Sequence, residues 1–134
     1  MRLMTTLGMA VVLLLAMSVS SVGADKAKLP ADVKVQKAAA GEVFADSKGM
    51  TLYTFDRDTA PGKSACNGPC AQNWPPLAAN AAAKPMGDWT VVTRDDGSKQ
   101  WAYKGKPLYT WAKDSKPGDT TGDGVNNVWH VAKP

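Results

Sequence analysis

The sequence predicts an all-β fold. It reads as one small domain of short antiparallel strands, built from two internal repeats, with a short helical turn near a cysteine loop. Three observations predict it. Eleven of the twelve acidic residues are Asp and only Glu42 is Glu, a balance that favours turns over helices. A fifteen-residue stretch, 48–62, recurs at 104–118 with eight identities. Between Gly, Pro and Asp clusters, the apolar runs are short, aromatic and β-branched, with no sustained helical period.

The chain opens with a basic start at Arg2, an apolar stretch from Leu7 to Val19 and the small-residue exit Val22-Gly23-Ala24. That pattern predicts a secretory signal peptide over residues 1–24, cleaved after Ala24. The apolar stretch is shorter than the ~20 residues of a spanning helix. No cysteine stands near the cut to accept a lipid, so the expected product is exported, unlipidated and periplasmic or extracellular. No later run is long and apolar enough for a transmembrane segment. Without Arg2, 15 basic residues face 12 acidic ones, a net charge of +3. The charges are mixed along the chain, which argues against a nucleic-acid partner.

Residues 25–40 read as a flexible lead-in, with a weak amphipathic helix over Val33 to Ala39 as its only suggestion of regular structure. The two-repeat domain is expected over 41–134. Val43-Phe44-Ala45 reads as a strand before the turn Lys48-Gly49. The run Leu52-Tyr53-Thr54-Phe55 reads as the next strand, with Tyr53 and Phe55 on one face and Leu52 and Thr54 on the other. Cys70 to Trp74 suggests one helical turn, stopped by Pro75-Pro76. Trp89 to Thr93 and Lys99 to Tyr103 flank Asp95-Asp96-Gly97-Ser98, a hairpin signal. Lys104-Gly105 then repeats the first turn, Leu108-Tyr109-Thr110-Trp111 repeats the strand, and Val128 to Val131 closes the chain. The five Trp (74, 89, 101, 111 and 129) are the obvious core material in a chain poor in Leu and Ile.

Both copies fit Tyr-x-aromatic-x-x-Asp, as Tyr53-Thr54-Phe55-Asp56-Arg57-Asp58 and Tyr109-Thr110-Trp111-Ala112-Lys113-Asp114. In this the chain resembles a bacterial family of secreted repeats and predicted lipoproteins that carry the Yx(F/W/Y)xxD motif. The segments Cys66-Asn67-Gly68-Pro69-Cys70-Ala71 through Trp74-Pro75-Pro76-Leu77, and Gly118-Asp119 through Val128-Trp129-His130-Val131, resemble that family's as well. The resemblance covers residues 41–132 and implies envelope location and duplicated architecture. It implies no particular activity.

Tyr53, Phe55, Tyr109 and Trp111 are candidates for a duplicated aromatic binding surface. Asp58 and Asp114 each lead into a Pro-Gly turn, where an Asp commonly accepts backbone N–H groups two or three residues on. That reading is preferred to a catalytic carboxylate, which would need a partner acid or base. Cys66 and Cys70, bent by Gly68-Pro69, read first as a disulfide in an oxidising compartment. The alternative is a copper or thiol redox site using Cys66, Cys70 and His130, since thiolates select Cu(I). A second metal candidate is calcium in the loop from Asp119, with Asp119, Thr121, Asp123 and Asn127 at ligand positions but His130 where a bidentate carboxylate belongs. Nucleophile motifs and phosphate loops are lacking, so the expected protein is no enzyme. The function expected is a binding or structural module with an envelope or extracellular ligand and no cofactor, copper or calcium being the alternatives.

Overall fold

The computed structural model describes residues 29–134. The expected signal peptide and its cleavage site lie outside the described residues. The elements run β1 (Val33–Ala38), β2 (Gly41–Asp46), β3 (Tyr53–Phe55), α1 (Pro69–Asn73), β4 (Trp89–Thr93), β5 (Lys99–Tyr103), β6 (Lys106–Pro107), a 3-10 turn (Val125–Asn127) and β7 (Trp129–Val131). They form three small antiparallel sheets, β1-β2, β3-β7 and β4-β5-β6.

The repeat is visible as a local two-fold. Tyr53 and Tyr109, equivalent in the two copies, exchange both backbone hydrogen bonds, N–H to O at 2.7 Å one way and 3.0 Å the other. A hydrogen-bonded antiparallel pair of equivalent residues puts the two-fold axis between them. The hairpin β1-β2 answers β4-β5. The two closing segments are exchanged between copies. Leu77 N–H donates to Leu108 O and Leu77 O accepts from Trp101 N–H, both at 2.9 Å, so the segment after the first loop lies in the second copy. In the same way Ala132 N–H donates to Leu52 O at 2.8 Å and Ala132 O accepts from Phe44 N–H at 2.9 Å.

Strand alternation divides the core. Leu52 and Leu108 point into one cluster with Phe44, Leu77, Trp89 and Trp101. Tyr53 and Tyr109 point into the other with Val43, Cys66, Trp74 and Trp129, and Phe55 and Trp111 pack against it. Four of the five Trp are buried and Trp111 is half-buried.

Three expectations change. Residues 33–38, expected in a lead-in or weak helix, form β1, paired along its length with β2 across a turn at Ala39-Ala40. The alanines gave a helical bias, but a partner strand overrides it. The two Lys-Gly turns differ in kind. In the first, Asp46 Oδ1 accepts from Lys48 and Met50 N–H, both at 2.9 Å. The second is a two-residue hairpin with Lys104 at φ 50° and Gly105 at φ 84°. Leu108 to Trp111 forms isolated bridges rather than a strand. On the side away from Tyr53 its partner is Pro75-Pro76, and proline has no N–H to extend a ladder. Trp129-His130-Val131, in the equivalent place, pairs with β3 in full.

Candidate functional site

The signature residues meet across the repeat. Tyr53 Oη donates to Asp114 Oδ2 at 2.6 Å, and Tyr109 Oη donates to Asp58 Oδ2 at 2.6 Å. Each tyrosine therefore clasps the aspartate of the other copy. The second oxygen of each carboxylate accepts a backbone N–H seven residues on. Ala65 N–H reaches Asp58 Oδ1 at 2.6 Å, and Thr121 N–H reaches Asp114 Oδ1 at 3.0 Å, with the Thr121 hydroxyl adding a bond of 2.6 Å. The aspartates close loops, as expected, but loops longer than the two or three residues the sequence suggested. Nothing in one copy shows that its tyrosine and aspartate serve different partners.

Burial sets the protonation of this network. Both tyrosines are 0 % exposed. Burial, reinforced by the neighbouring carboxylates, drives both phenols well above the ordinary range. Burial also raises Asp58, while the donors from Tyr109, Ala65 and the charge of Arg94 oppose it. Arg94 is a buried cation that the sequence reading missed. Its guanidinium donates to Ser64 Oγ at 2.9 Å, Gln100 Oε1 at 2.8 Å, Cys66 O at 2.6 Å and Asn67 Oδ1 at 3.1 Å. Four oxygens from two segments, the cysteine loop and β5, replace its water. It ties the cysteine loop to the β4-β5 hairpin.

Around the two-fold, four aromatic rings stack in a row. Phe55 lies on Trp129 at 4.2 Å, Trp129 on Trp74 at 3.7 Å, and Trp74 on Trp111 at 3.9 Å between centroids. The row reads the same from either end, since Phe55 answers Trp111 and Trp74 answers Trp129. Tyr53 meets Trp74 edge-on at 5.4 Å and Tyr109 meets Trp129 edge-on at 5.2 Å, completing the symmetry. The signal for the central pair was present: Trp74 and Trp129 stand 55 residues apart, one short of the motif offset.

The expected duplicated aromatic surface is therefore corrected. Tyr53 and Tyr109 are wholly internal, and Phe55 and Trp111 are the half-buried ends of a core stack. The motif spends its aromatic and acidic groups inside the molecule.

The metal candidates also find other partners. Cys66 and Cys70 form a disulfide with Cα atoms 5.1 Å apart, leaving no thiolate for copper. His130 Nε2 lies 2.8 Å from Asp56 Oδ2, with both side chains about half exposed. In the calcium candidate, Asp119 Oδ2 accepts Ser115 and Lys116 N–H at 2.9 and 3.1 Å. Those bonds, the Ser115 one foremost, lower the Asp119 carboxyl below its usual range. Asp123 Oδ1 accepts Val131 N–H at 3.2 Å, Thr121 binds Asp114, and Asn127 takes a left-handed backbone at φ 60°. These side chains brace the loop separately instead of converging. Among the described residues, no group of three or more His, Cys, Asp or Glu gathers as a metal site.

Two surface depressions of the described residues share part of their lining. A groove of about 800 Å³ is lined by Val35, Phe44, Trp89 and Tyr103, with Glu42 and Asp88 among its charged residues. Val35, 38 % exposed, is the large apolar side chain left to solvent among the described residues. A cleft of about 360 Å³ adjoins it, lined by Asp56, Lys104, Lys106, His130 and Lys133. Tyr103, Lys104 and Pro134 line both.

A family model described as a secreted repeat of unknown function matches residues 34–78 and 90–133. The chain belongs to that family. No curated protein and no solved structure matches it. The two secreted-repeat matches coincide with the exchanged halves: the first runs from β1 past Leu77, the second from β4 past Ala132. Each secreted repeat is thus a hairpin, a tyrosine segment, a loop and a closing segment that completes the other repeat. Among the described residues, no helix is long and apolar enough to cross a membrane.

Proposed function

We propose that this exported protein is a non-enzymatic binding module of the cell envelope or extracellular space, and that its ligand lies in the groove beside Tyr103. One observation carries the reading. The residues that mark the repeat are consumed in the clasp and the ring stack, whereas Val35 and Tyr103 leave apolar surface in an open groove. A groove with apolar walls and a few polar groups is the usual form of a ligand site. The acids that sequence alone would nominate, Asp58 and Asp114, have their oxygens occupied by structural donors and make no case for catalysis.

The test is retention on isolated envelope and extracellular polymer fractions. The exported protein should sediment with one of them. Tyr103→Ala and Val35→Asp should weaken retention at least fivefold while thermal unfolding stays cooperative. Equal retention of both variants, or none of the parent protein, contradicts the reading.

A further inference from the structure

The cleft beside the groove has a charge pattern that selects a ligand class. Lys104, Lys106 and Lys133 share its wall with His130. The acidic side chain there, Asp56, is already engaged by His130 at 2.8 Å. Lys133 donates to Ala40 O at 2.7 Å and keeps two N–H groups to offer. The Lys104 ammonium lies 5.3 Å from the Tyr103 ring centroid. Among the described residues no carboxylate pairs with any of the three lysines. Three lysines lining one concavity, against one acidic side chain already engaged, leave it net positive, and an anion is attracted there.

Lys104 adds a second, independent sign. It holds φ 50° at the first of two left-handed positions in the β5-β6 turn. Such turns favour Asn, Asp or Gly, and a lysine there carries backbone strain. Strain at the lip of a cleft points to a use for the side chain. Here that side chain sits where the basic cleft meets the aromatic groove.

The acids of the neighbouring groove, Glu42 and Asp88, confine the attraction for anions to the cleft. A ligand spanning both depressions needs an anionic group at one end and an uncharged face with apolar patches at the other. Deepening the groove reading above, on which it rests, we infer that the cleft and groove bind an acidic glycan. A uronate carboxylate would sit among Lys104, Lys106 and Lys133, with a neighbouring neutral sugar against Tyr103.

The experiment is a calorimetric titration of the exported protein with oligosaccharides that alternate glucuronate and a neutral sugar. Neutral oligosaccharides of equal length, inorganic phosphate and anionic phospholipid vesicles run alongside. The acidic oligosaccharide should bind, and binding should weaken with added salt. Lys104→Asn should lower affinity about three- to fivefold, as should Lys106→Gln. Because Asn suits the turn, Lys104→Asn should also unfold at the same temperature or higher, which a merely structural lysine would not combine with lost affinity. Equal binding of the neutral oligosaccharide, comparable binding of phosphate or vesicles alone, or unchanged affinity in both variants overturns the inference. If the acidic oligosaccharide fails while envelope retention still depends on Tyr103, the ligand class is wrong and the groove reading survives. If retention is also insensitive to Tyr103, both fall.

Discussion

Tyr53 donates its phenolic hydrogen to Asp114, sixty-one residues away and in the other copy of the repeat. Its counterpart Tyr109 donates to Asp58, fifty-one residues back. The Tyr-x-aromatic-x-x-Asp signature is thus written locally and used across the two-fold. A single copy would leave its buried tyrosine without the carboxylate acceptor and one oxygen of its aspartate without the phenol donor, so duplication and signature explain each other.

The two phenols should resist ionisation until the protein unfolds. Native Tyr53 and Tyr109 stay neutral where an unfolded tyrosine loses its proton at the ordinary value of about 10. Above that value the unfolded chain binds fewer protons than the native one, so stability falls as pH rises and is fully present below it. Alkaline titration followed by phenolate absorbance should show two phenols appearing only with unfolding. Tyr53→Phe and Tyr109→Phe should each remove one of them. Gradual appearance of both while the fold persists contradicts the buried network.

The ring stack should be most sensitive at its centre. Trp129→Ala, which opens a cavity against Phe55, Trp74 and Tyr109, is expected to cost about 3–5 kcal/mol. Phe55→Leu at an end should cost far less. Stacked Trp74 and Trp129 should also give an exciton couplet in circular dichroism, lost in Trp74→Phe. Equal costs at centre and end, by urea unfolding, would refute the stack's order.

Gly122 should not tolerate a methyl group. A Cβ there would lie 2.8 Å from Trp74 Cη2 and 3.0 Å from Trp111 Cγ. The equivalent residue of the first copy is Cys66, and that copy has Phe55 where the second has Trp111. The larger ring goes with the smaller residue. Gly122→Ala is expected to destabilise by roughly 1–3 kcal/mol through overpacking. A neutral single variant would contradict the close approach.

The disulfide should contribute modestly. A loop closed over so few residues constrains the unfolded chain by about 2 kcal/mol. Cys66→Ser with Cys70→Ser should lower stability by up to that amount and leave retention on envelope material intact. Complete unfolding of the double variant would mean that the bond does more than close its loop.

Much of this architecture was legible and some was not, for identifiable reasons. Local chemistry spoke plainly: Asp95-Asp96-Gly97-Ser98 turns the β4-β5 hairpin, and Pro75-Pro76 follows the helical turn as expected. The alternation of Leu52 against Tyr53 and Phe55 matches their division between two clusters. What stayed hidden depends on partners far along the chain. β1 exists because β2 pairs with it, and the alanines around it favoured helix. The destination of Tyr53 is another copy's aspartate, and no spacing within one motif encodes that. Arg94 looked like one more surface charge in a mixed sequence, because the four oxygens that hold it come together only after folding.

A double-mutant cycle tests the exchanged clasp most directly. The pairs are Tyr53→Phe with Asp114→Ala, across the copies, and Tyr53→Phe with Asp58→Ala, within one motif. Stability of all variants is read by urea unfolding. The cross-copy pair should couple by about 1.5–3 kcal/mol, as a buried hydrogen bond to a carboxylate does, and the same-motif pair should be near additive. Coupling confined to Tyr53 and Asp58, with none between Tyr53 and Asp114, would contradict the account.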